Sequence, residues 1–235
     1  MDADYGKRTN VVGKSLQNRD ITLFSYGEGF LPVLLLGGVH GDESEGFLFA
    51  ERMVRELDQG EISLPAGITL HIAPRINPDG CEVLRRTNHR NVDLNRNLPT
   101  KDWTGDFINV RYFPGERGGS EVETITTLDL IRDLDPALIL TLHSYEKPMI
   151  NFNGECEDLA VAMSKKNNLH PQGDIGYPTP GSLGTYAGWE RNIPTITLEI
   201  LRGQEPEEVW HNHRDALLVA FGYYLENPRP ARKEP

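Results

Sequence analysis

The stretch VLLLGGVHGDE, residues 33–43, decides the fold of this chain. Val33–Leu36 has the apolar pattern of a buried strand, and the two glycines after it allow a sharp turn. His40 and Glu43 follow at once, and a helical pattern begins at Glu43. A buried strand that runs through a polar turn into a helix is typical of α/β sheets, where ligands bind at the carboxyl ends of strands. Polar residues just after strands are therefore the first candidates for a site.

Strands and helices alternate along the rest of the chain. This alternation predicts an α/β fold of three αβα layers, with a mixed, mostly parallel twisted sheet and helices on both faces. We expect a single domain over residues 1–226 and a flexible tail over 227–235. Ser120 and Glu123 have the spacing of a capping box, and Val122, Ile125, Leu128 and Ile131 would face inward on the helix that it opens. The other predicted elements are strands at Ile21–Tyr26, Ile68–Ala73, Ala137–Leu142 and Ile193–Ile200, and helices at Glu43–Leu57, Glu155–Asn168 and Pro206–Leu225.

A long polar stretch separates two of these elements, from about Asn77 to Gly119. It contains several turn signals and is rich in arginine and asparagine. A connection of this length is uncommon in a single domain unless it is functional or disordered. Its composition favours a functional loop.

Composition excludes several classes of function. The 235 residues carry a net charge of −11 and are 38% hydrophobic, which is typical of a globular protein and unfavourable for binding nucleic acid. The longest apolar run, Phe30–Val39, is half of the roughly 20 residues that a membrane-spanning helix needs, so we expect no membrane insertion. The polar N-terminus has no secretory core. We expect a cytoplasmic protein if the chain is full length, and a periplasmic or exported one if a leader has been removed.

Three polar features lie at strand ends, and together they predict a metal centre. His40 and Glu43 follow one strand, His143 follows another, and Glu199 lies near the end of a third. Two imidazoles and a carboxylate are ligands of catalytic zinc sites that keep one position open for water. A buried carboxylate beside such a site is a natural general base. A lone His-x-x-Glu pair is weak evidence, since a glutamate also favours a helix start.

Six segments in this order resemble the zinc metallocarboxypeptidase family of the carboxypeptidase A type: GGVHGDE, INPDG, RTNHRNVDLNRNLP, TLHS, GYPTPGSLG and ITLEI. The short chain, VDLNRN and GYPTPGS are most similar to the family's bacterial branch of murein peptide amidases. The resemblance implies one Zn²⁺ held by His40, Glu43 and His143, with Glu199 as the catalytic base. It also implies a peptide substrate with a free C-terminal carboxylate.

The resemblance implies further roles in binding and catalysis. Asn95 and Arg96 match the pair that grips the terminal carboxylate, and Arg86, or alternatively Arg85, matches the arginine that stabilises the oxyanion. Tyr177 matches the mobile active-site tyrosine, although two prolines flank it at positions 178 and 180. Gly184 lies where other members carry residues that set specificity, and a glycine there is expected to leave room for a large terminal residue.

The branch resemblance implies cleavage of the γ-D-glutamyl–meso-diaminopimelate bond of murein peptides. Three alternatives stay open: a carboxypeptidase of other specificity, such as an L,D-carboxypeptidase on murein tetrapeptides; an N-acyl amino acid deacylase; and a non-catalytic zinc-binding module. Cobalt or nickel could occupy the same ligands in vitro. Asp93 is expected to orient the loop or to support a ligand histidine. The other conspicuous residues are interpreted as structural, solvated or capping: Asp42, Glu45, His71, Cys81, Cys156, His211 and His213.

Overall fold

The structure, a computed structural model, describes residues 6–228, and one eight-stranded sheet runs through them in the order β1-β2-β4-β3-β5-β8-β6-β7. Strands β4, β3, β5 and β8 are parallel neighbours at its centre. The β1–β2, β2–β4 and β6–β8 pairs are antiparallel, and β7 pairs parallel with β6. The predicted mixed, mostly parallel α/β sheet is thus confirmed. The strands are β1 (Arg8–Lys14), β2 (Asp20–Tyr26), β3 (Leu31–Leu36), β4 (Ile68–Ala73), β5 (Leu138–Tyr145), β6 (Met149–Asn153), β7 (Pro171–Gln172) and β8 (Thr195–Leu201).

Helices cover both faces of the sheet. Alternate side chains of β3 enter opposite layers: Val33 and Leu35 pack with α1, α4 and α5, whereas Leu34 and Leu36 pack on the side of α3. Both faces of this strand are therefore buried, as its continuous apolar sequence predicts. The helices are α1 (Ser44–Asp58), α2 (Pro78–Glu82), α3 (Val122–Leu134), α4 (Glu157–Asn167) and α5 (Pro206–Glu226), with 3₁₀ turns at Leu94–Arg96 and Val110–Tyr112 and a π-helical turn at Gly184–Trp189.

Residues 1–5 and 229–235 lie outside the described residues. The division into one domain over 1–226 and a tail over 227–235 therefore stays a prediction. Among residues 6–228, no helix is both long enough and apolar enough to cross a membrane.

The predicted capping box at the start of α3 is wrong. The Ser120 hydroxyl donates to the neighbouring Glu121 carboxylate (2.6 Å), and no side chain caps the helix. Glu123 points inward to accept a hydrogen bond from Asn88 (3.1 Å), while Ile125 is 42% exposed. The buried Asn88 amide, which also donates to Glu121 (2.8 Å), turns the polar side of α3 toward the loop.

The long loop is ordered by buried asparagines. Asn88 accepts hydrogen bonds from the backbone amides of Arg90 and Val92, and Asn97 donates to the carbonyl oxygens of Pro114 and Arg117. Both asparagines are fully buried. Because these side chains replace the backbone pairing that a strand or helix would provide, the loop holds one conformation and carries its arginines to the sheet.

Candidate metal-dependent active site

Three elements bring the predicted metal ligands together at the carboxyl end of the sheet. His40 lies in the turn after β3, Glu43 directly precedes α1, and His143 lies near the end of β5. One nitrogen or oxygen atom from each falls within 4.8 Å of the others, and all three residues are buried. The sequence prediction and the geometry therefore select the same donor set.

The donor atoms are oriented by their surroundings. His40 Nε2 lies 3.0 Å from Asp93 Oδ1, and its Nδ1 lies 3.0 Å from both Glu43 Oε1 and His143 Nδ1. Glu43 Oε2 contacts His143 Nδ1 at 2.8 Å and accepts the Ser144 amide at 3.2 Å. Because the Asp93 contact favours a proton on His40 Nε2, the Nδ1 lone pair faces the centre of the cluster.

Charge at the cluster favours cation binding. Burial would raise the pKa of Glu43, but the nearby His40 and His143 outweigh that effect and hold its pKa well below the ordinary value. In the same way, the charges of His40 and Arg86 outweigh burial and lower the pKa of Asp93. Both carboxylates are therefore ionised at neutral pH.

This donor set fits a zinc ion. Zinc takes nitrogen and carboxylate ligands, and catalytic sites use three protein ligands so that a fourth position stays open. Two imidazole nitrogens 3.0 Å apart with a carboxylate between them supply such a set. The outer carboxylate on His40 is the partner that zinc-binding histidines commonly have.

Glu199 lies beside this cluster. It occupies β8 in direct register with His143 on β5 and lines the same cavity. Burial is the main cause that raises its pKa to about 7, with a further contribution from Glu43 and an opposing one from His143. A carboxylate with a pKa near the working pH is suited to accept and return a proton.

The two candidate oxyanion arginines are in different places. Arg86 is largely buried in the cavity, where it donates to Glu43 Oε1 (3.1 Å) and Asp93 Oδ2 (2.9 Å). Arg85 instead donates to the backbone carbonyl of Asn88 (2.6 Å) and stabilises the loop. The geometry therefore favours Arg86 over Arg85 for any role at the reacting carbonyl.

Asn95 and Arg96 both line the cavity. Asn95 belongs to a 3₁₀ turn that Asp93 caps, and its side-chain oxygen accepts the Leu183 amide at 2.9 Å. The Arg96 guanidinium carbon lies 5.7 Å from the centre of the Tyr112 ring, close enough for a cation–π contact. The pair is thus held from both sides of the cavity, although its predicted role with a carboxylate stays a prediction.

The structure separates Tyr177 from Gly184. Tyr177 lines the cavity and is 39% exposed, and partial burial raises its pKa. Gly184 is buried in the π-helical turn, and a Cβ there would lie 2.2 Å from Asn153 Oδ1. The expectation of open room beside Gly184 is therefore wrong, because the Asn153 side chain fills that space.

Several cavity residues had no recognised role in the sequence. The cavity has a volume of about 380 Å³. Arg202 follows Glu199 by three residues, so its position after a strand was a usable signal, whereas the loop residues have no informative spacing. The additional lining residues include Arg111, Tyr112, Ser144, Tyr145, Glu146, Ile175, Thr179 and Arg202.

Asp42 and Glu45 are not simply solvated or capping residues. Asp42 accepts a hydrogen bond from Arg111 at the cavity, and Glu45 is buried and accepts the Gly203 amide after β8. Both contacts join segments that are distant in sequence, which the local pattern does not reveal.

The other histidines and the cysteines lie outside the cluster. His71 is buried in β4 and bonds to Ser25 (2.8 Å), and His213 is buried while His211 is exposed on the same helix. Cys81 and Cys156 are both buried.

The fold and the buried donor set define a metal-dependent hydrolase of the α/β class. A family model described as zinc carboxypeptidase matches residues 1–205. The chain belongs to the zinc carboxypeptidase family, and it is a metallopeptidase of that family.

Curated relatives in this family include murein peptide amidases. The chain is 32% identical to murein peptide amidase A of Escherichia coli strain K12 over 181 residues, which cover 71% of this chain and 69% of the relative. It is 31% identical to murein peptide amidase A of Vibrio campbellii over 209 residues, covering 83% and 77%.

Solved structures share the fold. The crystal structure of the murein-tripeptide amidase from Escherichia coli O157 matches with a TM-score of 0.70 and 24% identity, covering 95% of this chain and 93% of the other. Carboxypeptidase A from Helicoverpa armigera matches with a TM-score of 0.75 and 19% identity, covering 92% and 69%. The three-layer architecture is thus the carboxypeptidase fold.

Proposed function

We propose that this metallopeptidase hydrolyses murein peptides at the γ-D-glutamyl–meso-diaminopimelate bond. The observation that carries the proposal is the convergence of a zinc donor set, a buried base and several arginines on one cavity. Relatives at 31–32% identity that are named murein peptide amidases support the choice of substrate. A substrate with several carboxylates matches the cationic lining.

Each residue of the site has a separate role in the proposed hydrolysis. His40, Glu43 and His143 would hold zinc, which lowers the pKa of a bound water to about 7 and polarises the scissile carbonyl. Glu199 accepts a proton from the attacking water and returns it to the leaving amine. Arg86 donates hydrogen bonds to the oxygen on which negative charge develops, a contribution of about 3–4 kcal/mol in comparable sites.

Orientation of the substrate comes from the other side of the cavity. Asn95 and Arg96 bind the terminal carboxylate, and Arg96 can do so through two parallel hydrogen bonds. Fixing this end places the neighbouring amide carbonyl at the donor set, which replaces a bimolecular encounter with an oriented one. Tyr177 lines the same cavity and is placed to contact the bound residue.

The test is mass spectrometry of L-Ala-γ-D-Glu-meso-diaminopimelate and, separately, of the tetrapeptide that carries D-Ala. Release of diaminopimelate from the tripeptide is expected, with loss after chelation and in Glu199→Gln. Glu208→Gln, an exposed change on α5, is the matched control and should retain activity.

Other results of this assay would contradict the proposal and point to a different function. Release of D-Ala alone from the tetrapeptide would indicate an L,D-carboxypeptidase. No cleavage of either peptide would reject murein as substrate, and N-acyl amino acids and ordinary peptides would then be assayed. Binding of peptide without any cleavage would indicate a non-catalytic module.

A further inference from the structure

We propose that Arg111 and Arg202 form a second carboxylate-binding site, which recognises the free α-carboxylate of the γ-linked glutamyl residue. The inference rests on the proposed function and extends it to the acyl side of the scissile bond. In the proposed function, Asn95 and Arg96 bind the leaving residue. The second pair would bind the glutamyl residue on the other side of the scissile bond.

The two arginines converge from distant parts of the chain. Arg111 comes from the long loop and donates to Asp42 Oδ2 at 2.8 Å, and Arg202 follows β8 and lies 3.5 Å from the same oxygen. Arg202 also donates to the carbonyl oxygen of Asp42 (3.2 Å). Asp42 thus holds two guanidinium groups side by side at the cavity wall.

Arg202 lies close to the metal donor set. Arg202 Nη2 is 3.3 Å from Glu43 Oε1 and 3.4 Å from the carbonyl oxygen of Ser144, the residue after His143. By contrast, Asn95 is bound to the backbone of Leu183. Arg202 is therefore in contact with a proposed metal ligand, and Asp42 holds Arg111 beside it.

The exposed guanidinium groups of Arg111 and Arg202 can donate hydrogen bonds to an anion. Arg111 contacts only Asp42 among the acidic residues that the structure describes, whereas Arg202 contacts both Asp42 and Glu43, and the two arginine side chains are 43% and 35% exposed. Each guanidinium has five donor hydrogens in a planar fork, and Arg111 uses only its Nη2 for Asp42, so it keeps donors for an incoming anion. Adjacent guanidinium groups suit a planar carboxylate.

The chemistry of a γ-linked glutamyl residue supplies that carboxylate. When glutamate is joined through its side chain, its α-carboxylate is free and lies a few bonds from the scissile carbonyl. In an ordinary α-linked peptide, the α-carboxyl group of this residue is itself part of the scissile amide, so no free α-carboxylate is left. The arginine pair would therefore select the γ-linked free acid.

The experiment compares two tripeptides that differ by one group. L-Ala-γ-D-Glu-meso-diaminopimelate carries the α-carboxylate, and L-Ala-γ-D-isoglutaminyl-meso-diaminopimelate carries a neutral carboxamide there. Values of kcat/KM are measured for the wild type, Arg111→Gln, Arg202→Gln and Arg132→Gln. Arg132 is the matched control, because it is exposed on α3 and pairs with Asp129 and Asp133 of the same helix.

We expect the wild type to prefer the free acid by about 10–100-fold, the range of one or two charge-assisted hydrogen bonds. Arg111→Gln should remove most of this preference through a larger loss on the free acid than on the carboxamide. Arg202→Gln, which also loses the contact with Glu43, should lower both rates, with the larger loss again on the free acid. In a Glu199→Gln background, calorimetry should show the same loss of affinity for the uncleaved free acid.

Three results would overturn the inference. Equal wild-type rates on both peptides would reject it and leave the proposed function intact. Equal losses on both peptides in the arginine variants would show a structural role instead. Cleavage of neither peptide by the wild type would reject the proposed function and this inference together.

Discussion

Glu199 is a carboxylate placed inside a strand, and its burial gives it a pKa of about 7. Only the ionised form accepts a proton, so activity should rise with pH on the acid side. A bound cation stabilises the ionised form, so the loaded enzyme should show the midpoint of this limb at or below pH 7. The pH dependence of kcat/KM measures it. A limb centred well above pH 7 would contradict the assignment of Glu199 as the base.

Asp93 is the carboxylate that orients His40 and Arg86 together. Asp93→Asn removes its charge while keeping its shape, so His40 loses its fixed tautomer. We expect zinc affinity to fall by about 10–100-fold, as measured by competition with a chromogenic chelator.

Asp106→Asn is the matched control for this change, because Asp106 is exposed on the same loop. An unchanged zinc affinity in Asp93→Asn would show that His40 is oriented by its packing alone.

At the scale of elements, the turn after β3 touches the long loop through glycines. A Cβ on Gly41 would lie 2.0 Å from the backbone carbon of Gly80 in α2, so the two segments can meet only without a side chain. This contact sets the His40 turn beside the segment that carries Arg86, whose carbonyl accepts the Gly41 amide (3.4 Å).

Gly41→Ala should therefore destabilise the protein by about 1–3 kcal/mol and reduce zinc affinity, because the turn must move away from α2. Thermal unfolding and zinc titration measure the two effects. Gly105→Ala is the control, since its Cβ would meet only the edge of Trp103 at 3.7 Å. Equal behaviour of the two variants would contradict the proposed tight contact.

Among residues 6–228, all four helices longer than ten residues were predicted, but β1, β6 and β7 were not, and polar residues caused the errors in the bounds of the predicted strands. β4 has the predicted bounds, whereas β5 continues to Tyr145 although its apolar run ends at Leu142. His143 stays in the strand because it faces Glu199 across the β5–β8 ladder. The sequence around His143 gives no sign of this pairing, because its partner Glu199 lies more than 50 residues further along the chain.

The candidate site was predictable to the extent that its residues lie at or just after strand ends. His40 and Glu43 follow β3, whereas His143 and Glu199 lie near the ends of β5 and β8, and all four line one cavity. The surroundings of Gly184 were not predictable, because Asn153, which fills the adjacent space, comes from another strand. The free space beside a residue depends on which distant side chains pack against it, and the local sequence does not show this.

At the scale of the whole molecule, two buried histidines limit stability in acid. Burial lowers the pKa of His71 and of His213 to about 4. Because the ordinary histidine pKa is about 6.5, the unfolded chain binds protons first as the pH falls. The stability contributed by neutral burial is thus present above pH 6.5 and is lost progressively toward pH 4.

His213→Gln should flatten this loss by up to about 3 kcal/mol between pH 6.5 and 4. Urea unfolding at several pH values measures the slope. His211→Gln, an exposed change two residues earlier on α5, should leave the slope unaltered. The same slope in both variants would show that His213 is already solvated.

Zinc should also stabilise the fold as a whole, because its three ligands come from the ends of two strands and the start of one helix. Ligand linkage predicts about 2.7 kcal/mol at a free zinc concentration 100 times the Kd. Calorimetric scans with and without chelator would show the shift in Tm, and an unchanged Tm would argue against a preformed site.

The contact between Asp93 and His40 makes the long loop a reporter of the metal centre. Asp93 joins the loop to the ligand cluster through its contact with His40. Removing the ion frees the His40 side chain to move, so this contact and the loop conformation near Asp93 become less stable. Exposed Arg90 would then become a preferred cleavage point for trypsin in metal-depleted protein. Digestion patterns would thus distinguish metal-loaded from metal-free molecules without any substrate. They would also measure the fraction of a sample that holds the ion needed for catalysis.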